Sequence, residues 1–220
     1  MTVPNSARVY HITHVDNLPA IIGGGALLCK QLVPATGHAN IAYGHIQSRR
    51  AEQTVPVGPG GSLHDYVPFY FGPRSPMLYA SWKGTVPGYT GGQEPIVHLV
   101  LDIADVHAAG VPFVFTDGHA IIATSRWFTD LKDLSHVDWP LMKSQFWNDT
   151  DQHPDRSRRR QAEFLIHQRV PWRMIKRIAT QTQAVADRVN ELIATSQSGL
   201  SGIDYSAGIL PRLTQWLWIF

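Results

Sequence analysis

The chain has 220 residues, 44% of them hydrophobic and 16% charged, so it can bury a core and is not intrinsically disordered. Its single cysteine, Cys29, excludes an internal disulfide and a cysteine-rich zinc site. No apolar run reaches the roughly 20 residues that cross a bilayer, and the first residues lack the pattern of a signal peptide. We therefore expect a cytoplasmic protein without membrane contact, folded as a single domain over residues 1–220.

Charge is unevenly distributed along the chain. The sequence has 19 Lys and Arg against 17 Asp and Glu, a net charge of +2. Residues 156–177 hold eight of these basic residues and a single acid, Glu163. Such a local excess suits a polyanion such as nucleic acid, although a solvated surface segment would have the same composition.

Hydrophobic periodicity and turn residues predict helices mixed with strands. A first helix begins near Asp16 or Asn17, which can cap it, and ends at Gly23–Gly25. A long loop over 37–66 follows, with a turn of helix near 45–52. The later predicted elements are a strand at 67–71, a helix around 75–82, a loop at 84–95, strands at 95–103 and 111–116, a helix at 139–149, strands at 161–170 and 173–182 separated by Pro171, a helix at 183–196 and a closing strand over RLTQWLWIF. Without regular βαβ alternation, this order favours the α+β class.

Several common catalytic and metal-binding motifs are absent from the sequence. His11 and His14 have a spacing compatible with two metal ligands on a helical turn, but they lie in an extended segment and no HExxH follows. No GxSxG nucleophile elbow occurs, and the glycine runs at 23–25 and 58–61 match neither a phosphate loop nor a dinucleotide fingerprint. Cys29 lies in the apolar stretch ALLCK, which predicts a buried structural thiol.

Five segments carry the remaining pattern, in the order HITHVDNLPAIIGGGALL, VPFYFGPRSPMLYA, GYTGG, FWNDT and SRRRQAEFLI. In this order they resemble the DarT family of DNA ADP-ribosyltransferase toxins, related to the His–Tyr–Glu type of ADP-ribosyltransferases. The resemblance is spread over residues 9–170 and, less sharply, the C-terminal tail. It implies the ADP-ribosyltransferase fold, in which two small antiparallel-rich sheets pack face to face, with an NAD cleft between them and helices outside.

The resemblance also implies an activity. ADP-ribose passes from NAD, the co-substrate, to a base in single-stranded DNA within a specific sequence, with thymidine as the expected acceptor and nicotinamide released. No metal is needed, and an antitoxin with a macrodomain removes the mark from the DNA. Two alternatives stay open: an RNA-directed ADP-ribosyltransferase or RNA 2′-phosphotransferase on the same fold, and a non-enzymatic nucleic-acid-binding domain. The phosphotransferase should lack a carboxylate in the place of Glu163.

Glu163 and Arg50 are the predicted catalytic residues. Glu163 is an isolated acid in an apolar strand, and a carboxylate stabilises the oxocarbenium-like centre that forms when the nicotinamide–ribose bond breaks. A sheet-edge glutamate paired with an arginine is the structural alternative. The resemblance implies that an arginine of the long loop faces both NAD and the acceptor base, and Arg50 is preferred to Arg49. A guanidinium hardly deprotonates, so it binds base carbonyls and eases proton loss from the ring nitrogen.

The resemblance assigns further residues to NAD and to DNA. His11 is expected to hydrogen-bond the adenosine ribose, because a neutral imidazole donates one hydrogen bond and accepts another, and Thr13 assists it. Nicotinamide needs an aromatic platform, for which Tyr79 is preferred to Tyr70. The residues expected to contact DNA are Arg74, Ser75, His119, Arg158, Arg159 and Arg160.

Overall fold

A computed structural model describes residues 3–4, 6–196 and 206–209 of the chain. The helices are α1 Leu18–Gly23, α2 Gly44–Glu52, α3 Pro76–Lys83, α4 Ile103–Ala108, α5 Trp139–Lys143, α6 Arg156–Arg160 and α7 Gln183–Ser196. The strands are β1 Arg8–His14, β2 Ala26–Leu28, β3 Tyr66–Tyr70, β4 Ile96–Asp102, β5 Phe113–Thr116, β6 Trp127–Phe128, β7 Glu163–His167, β8 Arg169–Pro171, β9 Arg177–Thr180 and β10 Ser206–Ile209. Within the described ranges, no helix has the length and apolar character needed to cross a membrane.

Eight of these strands form one sheet in the order β10-β9-β4-β1-β3-β7-β5-β6, and β2 pairs with β8 in a second. Neighbouring strands are antiparallel except β9 and β10, which are parallel. The central strands β1 and β3 meet at one residue pair, Tyr10 opposite Tyr70, whereas β1 and β4 pair along their whole length. The expected α+β class is confirmed. The large sheet consists of two four-stranded halves that are joined at this pair, so it replaces the two separate small sheets of the expectation.

The core follows from the apolar run of β4. Six of the seven residues of this strand are buried, because helices cover both of its faces. On one face Leu99 belongs to the same buried cluster as Val189 of α7, and on the other Ile96 belongs to a cluster with Leu78 of α3. A continuous apolar run rather than an alternating one is typical of a strand buried on both sides.

Most predicted elements are present, but several differ in their bounds, and several short elements, among them β2, α4, β6 and α6, were not predicted. The helix expected at 139–149 ends at Lys143, because Ser144 is extended. The strand expected at 161–170 is split into β7 and β8 by Gln168, whose φ of 60° breaks an extended chain. The short helix α6 was not predicted, since its run of arginines has no apolar face. The expected closing strand RLTQWLWIF lies outside the described residues.

The junction between the two sheet halves sets the position of the candidate site. Tyr70 of β3 lies opposite Glu163, the first residue of β7. On the other side of β3, the His11 ring of β1 reaches the carbonyl of Pro68. The predicted NAD-binding and catalytic side chains are therefore carried by strands on either side of β3.

Candidate active site

The Glu163 carboxylate is buried, with a side chain that is 2% exposed, and both of its oxygens are held. Arg50 Nη1 donates to Oε2 at 2.8 Å, and the backbone N–H of Ala120 donates to Oε1 at 3.1 Å. The Glu163 N–H itself donates to Thr116 Oγ1 at 3.1 Å. Because β7 lies between β3 and β5, Glu163 is not at a sheet edge. The orientation of the carboxylate is thus determined from two directions.

Arg50 lies in the last turn of α2, within the long segment expected to be mostly loop. It is 7% exposed, whereas its neighbour Arg49 faces solvent. One nitrogen, Nη1, is used on Glu163, and Nη2 is buried without a hydrogen-bond partner among the described residues. Buried donors are rarely left unpaired, so Nη2 is a candidate contact for a ligand.

A cleft of about 540 Å³ lies beside this pair. Its size is within the range of small-molecule sites, about 300–1,000 Å³. The polar residues that line it come from β1, the start of α1, the segment before α2 and α2 itself; they include His11, Thr13, Asn17, His38, Gln47 and Arg50. Three predicted site residues, on β1 and α2, are thereby brought to one cavity, and Arg50 connects that cavity to Glu163.

His11 is neutral and has a defined tautomer. Its Nδ1 lies 2.8 Å from the carbonyl oxygen of Pro68, so the proton must be on Nδ1 and Nε2 is an acceptor. Burial lowers the pKa of His11 to about 4, although the hydrogen bond to Pro68 opposes the shift. The expectation that His11 both donates to and accepts from a ligand is therefore corrected. Only the acceptor Nε2 remains.

Asn17 organises the cleft in a way that the sequence did not indicate. It makes no side-chain capping bond to α1, where it was expected as a cap. Its amide donates to Thr13 Oγ1 at 3.1 Å and to the Ala39 carbonyl at 3.0 Å, and its oxygen accepts from the Ala39 N–H at 2.8 Å. Asn17 thus fastens the segment before α2 to the end of β1. The four-residue spacing from Thr13 was the available signal.

The two tyrosines considered for nicotinamide lie away from the cleft lining. Burial and the nearby charge of Glu163 raise the pKa of Tyr70, so its hydroxyl stays protonated at neutral pH. The Tyr79 ring packs against Trp82, with ring centroids 5.7 Å apart. On α3 it is Met77 that lines the cleft. The preference for Tyr79 as a platform is therefore not supported by its position.

His119 and Ser75 differ in their suitability for substrate contact. His119 Nε2 lies 3.8 Å from Glu163 Oε1, which places this ring at the candidate catalytic carboxylate. Burial lowers its pKa, with Glu163 opposing the shift. Ser75 is 1% exposed and its Oγ accepts from the Leu78 N–H, so it caps α3. The expectation that Ser75 contacts DNA is corrected by this burial.

Arg158 and Arg159 of α6 are partly buried and bond to acids of the protein itself. Arg158 makes two bonds of 2.7 Å to Asp155 and one of 2.9 Å to Asp117, and Arg159 Nη1 bonds Asp138 at 2.7 Å. These pairs compensate much of the charge that suggested a DNA surface. These ion pairs do not support the expectation that Arg158 and Arg159 contact DNA.

Of the three arginines Arg158, Arg159 and Arg160, Arg160 is the most deeply buried, at 1% exposure. Its guanidinium lies 5.1 Å from the centroid of the Trp147 ring and Nη1 is 3.4 Å from the sulfur of Met142. Burial, and then the charge of Arg74, lowers the pKa of Arg160 to about 10. A side chain enclosed in this way does not reach DNA in this conformation, which corrects the expectation for Arg160.

Metal-binding and thiol chemistry have no support in the described ranges. No group of three or more His, Cys, Asp and Glu side chains is placed there to hold a metal ion. Cys29 is buried, as its apolar neighbours indicated, and burial raises the pKa of its thiol.

The split sheet of this α+β fold, the cleft and the buried carboxylate beside it are typical of an enzyme that acts on a ligand of nucleotide size. The family model described as "ssDNA thymidine ADP-ribosyltransferase, DarT" matches residues 10–206. This chain belongs to the DarT family, and the resemblance identified in the sequence is confirmed.

Relatives of known identity agree with this assignment. A DNA ADP-ribosyl transferase from Thermus sp. (strain 2.9) is 46% identical over 192 residues, which cover 87% of this chain and 90% of the relative. The structure of Thermus sp. 2.9 DarT in complex with ADP-ribosylated ssDNA has a TM-score of 0.90 at 42% identity and covers 97% of this chain and 98% of that one. The same protein in complex with NAD+ has a TM-score of 0.85 at 39% identity, with 96% and 99% coverage.

A more distant relative is a longer protein. A DNA ADP-ribosyl transferase–DNA ADP-ribosyl glycohydrolase fusion protein from Thermosipho africanus is 24% identical over 192 residues, 86% of this chain and 46% of the fusion.

Proposed function

We propose that this chain transfers ADP-ribose from NAD to thymidine in single-stranded DNA, at a specific sequence, and releases nicotinamide. The observation that carries the proposal is the Glu163 carboxylate, held between Arg50 and the Ala120 N–H beside a cleft of nucleotide size. The family model and the NAD+ and DNA complexes of the Thermus relative support the same donor and acceptor.

The residues of the cleft fit NAD. His11 Nε2 accepts from a hydroxyl of the adenosine ribose, because its other nitrogen is used on Pro68. Asn17 and Thr13 shape the adjoining wall, and the unpaired Nη2 of Arg50 supplies a donor next to Glu163. NAD as the co-substrate, expected from the sequence, agrees with the complexes of the Thermus relative.

The chemistry takes place at the ribose carbon that carries nicotinamide. As its bond to the nicotinamide nitrogen breaks, positive charge develops on the ribose, and the Glu163 carboxylate stabilises it. A ring nitrogen of thymine then attacks this carbon and loses its proton to water. The Arg50 guanidinium binds a base carbonyl and favours that loss without acting as a base itself. His119, 3.8 Å from the carboxylate, adjoins the acceptor side.

Single-stranded DNA is the acceptor because the ring nitrogen of thymine is paired and stacked in a duplex. Glu163 disfavours the RNA 2′-phosphotransferase and the non-enzymatic binding domain, whereas an RNA-directed ADP-ribosyltransferase would need the same carboxylate and is tested by whether the chain modifies RNA. An RNA 2′-phosphotransferase should lack a carboxylate here, and a binding domain has no need to hold one between two donors.

The biological role completes the proposal. We propose a cytoplasmic toxin, since NAD and DNA occur together there, paired with a macrodomain antitoxin that removes the modification. The fusion of a DNA ADP-ribosyl transferase to a glycohydrolase in Thermosipho africanus supports such a pairing.

Incubation with NAD and defined oligonucleotides tests the proposal, with mass spectrometry to count added ADP-ribose groups. The substrates are a mixed-sequence pool, single strands that differ only in one central base, and the RNA counterpart. We expect modification of the thymidine strand alone. Glu163→Gln, which keeps the shape and the bond from Ala120, should slow transfer about 10²–10³-fold. Unchanged transfer by this variant, or equal modification of RNA, would overturn the proposal.

A further inference from the structure

The loop that joins β5 to β6, residues 117–126, passes directly by the candidate catalytic carboxylate. Its Ala120 N–H donates to Glu163 Oε1 at 3.1 Å, and its His119 ring lies 3.8 Å from the same oxygen. The orientation of Glu163 therefore depends on where this loop lies. The loop has no strand partner over these residues. Its Ala120 and Ile121 are buried in an apolar cluster with Val114 and Leu165, and hydrogen bonds hold its polar groups.

Arg158 of α6 supplies bonds at both ends of the loop. Its Nη1 donates to Asp117 Oδ1 at 2.9 Å and to Ser125 Oγ at 3.1 Å. Its backbone carbonyl accepts from the His119 N–H at 3.0 Å, and Ser125 Oγ donates to the His119 carbonyl at 2.8 Å. Arg158 thus contacts the start, the middle and the end of the loop, and Arg126 also bonds Asp117 at the start.

The guanidinium is itself anchored from the opposite side. Nε and Nη2 of Arg158 bond the two oxygens of Asp155, each at 2.7 Å. A planar fork of donors can join two carboxylates in this way, which an ammonium cannot do. Gly118 permits the contact, because a Cβ there would overlap Arg158 Nη1.

We propose that Arg158 is a positioning residue of the transfer reaction. Through Asp117 and Ser125 it holds the 117–126 loop so that the Ala120 N–H and the His119 ring meet Glu163. It acts on the reaction only through this loop and does not touch DNA. The kinetic part of this inference rests on the proposed function.

Three variants test the positioning role. Arg158→Ala removes the fork, and Arg158→Lys keeps the charge but cannot join Asp117 to Asp155. Gly118→Ala keeps every charge, and the three atoms nearest to its added Cβ belong to the side chains of Arg158 and Ser125 rather than to the backbone, so the fold should persist. We expect kcat to fall about 10- to 100-fold in each, because small misplacements of a catalytic group have effects of this size. The KM for NAD and the affinity for DNA should stay near the wild-type values.

Arg156→Ala is the matched control on the same helix. Its guanidinium bonds the carbonyl of Phe146 and, among the described residues, has no bond to the 117–126 loop, so its kcat should stay close to that of the wild type.

Three measurements distinguish this inference from its competitors. Weaker DNA binding in Arg158→Ala, with a salt slope lower by ~0.7 and an unchanged kcat, would instead make Arg158 a phosphate contact. Equal losses in Arg156→Ala would indicate general damage to α6. Hydrogen exchange of the Ala120 amide gives a readout without substrates, and it should quicken in Gly118→Ala; unchanged exchange would overturn the inference. A wild-type protein that modifies no DNA would refute the proposed function, whereas the exchange result would still decide this inference.

Discussion

At the residue scale, the pair of Arg50 and Glu163 illustrates why a buried charge needs its partner. The two side chains are 9% and 2% exposed, and their atoms lie 2.8 Å apart. Removal of one partner leaves the other buried and uncompensated, which in such pairs costs about 3–5 kcal/mol. Substitutions that keep part of the pair therefore separate a catalytic effect from a loss of stability.

Arg50→Lys and Arg50→Ala test the role of the second guanidinium nitrogen. Lysine can keep one charged contact to Glu163 but cannot replace the unpaired Nη2. We expect both variants to lose DNA transfer, and Arg50→Lys to keep more hydrolysis of NAD to free ADP-ribose, because water needs no group that orients a base. Assays of DNA transfer and of NAD hydrolysis on both variants show whether Arg50 orients the acceptor base. If both activities fall together in Arg50→Lys and the KM for NAD rises, Arg50 belongs to the NAD site alone.

At the scale of elements, the end of β3 and the helix α6 fit together closely. Gly72 follows β3, and a Cβ there would lie 2.5 Å from Arg160 Nη1 and 2.8 Å from the Met142 carbonyl oxygen. The guanidinium could yield, but the backbone of α5 could not do so without moving the helix. The absence of a side chain at Gly72 therefore allows α5 and α6 to pack beside the strand that faces Glu163.

Gly72→Ala should lower the free energy of unfolding by about 1–3 kcal/mol, the usual cost of overpacking a filled space. Urea denaturation measures this change. Gly23→Ala is the control, because Gly23 ends α1 with nothing within 4 Å of an added Cβ. A loss in Gly23→Ala as large as that in Gly72→Ala would contradict the explanation by close packing.

The strand β1 carries the partly buried His11 and the strand β4 the fully buried His98, and the titration of both affects stability. Burial lowers the pKa of both His11 and His98 to about 4, and hydrogen bonds to the carbonyls of Pro68 and Pro73 only partly oppose the shift. Unfolded histidine titrates near 6.5, so between pH 6.5 and 4 the unfolded chain binds protons that the folded chain does not. This contribution to stability is therefore fully present above pH 6.5 and is lost as the pH falls toward 4.

For the fully buried His98 the loss over this range is on the order of 3 kcal/mol. Urea denaturation at several pH values between 7 and 4 should show the decline in the wild-type protein. His98→Gln removes the titrating group and retains a donor for the Pro73 carbonyl, so its stability should decline less steeply. Parallel pH curves for the two proteins would exclude His98 as a source of the decline.

At the scale of the whole molecule, the distribution of paired charge matters more than the net charge of +2. The basic stretch 156–177 includes Arg158 and Arg159, which form ion pairs with Asp117, Asp138 and Asp155. Their charge is thus compensated within the fold. Composition alone overstates the positive potential that this stretch presents to DNA.

The salt dependence of DNA binding tests whether the charge of Arg159 is compensated within the fold. Arg159→Gln should leave the slope of log K against log salt concentration unchanged, because its charge faces Asp138 and Asp155. If Arg159 instead neutralised a phosphate of the single strand, its replacement would lower the slope by ~0.7. Fluorescence anisotropy with a labelled oligonucleotide at four or more salt concentrations is sufficient. A reduction of that size would restore Arg159 as a DNA-binding residue.

The α+β class, the order of most elements and the family could be inferred from the amino-acid sequence. Apolar runs such as that of β4, and a helical period such as that of α7, are local patterns, so they can be interpreted without knowledge of the fold. Family resemblance added Glu163, Arg50 and His11, which the structure gathers around one cleft and its adjoining carboxylate. These three residues could be identified from the order of the family segments along the chain, without knowledge of their contacts.

The hydrogen-bond and ion-pair partners of these site residues could be identified only from the folded chain. Arg50 and Glu163 are 113 positions apart, and Arg158 and Asp117 are 41 apart, so no local pattern could indicate either pair. The Ala120 N–H that holds Glu163 is a backbone group, which every residue except proline carries, and the sequence does not distinguish it. The arginines of α6 looked like a DNA surface because composition records their charge. Whether that charge meets solvent or an acid depends on which segments the fold brings together.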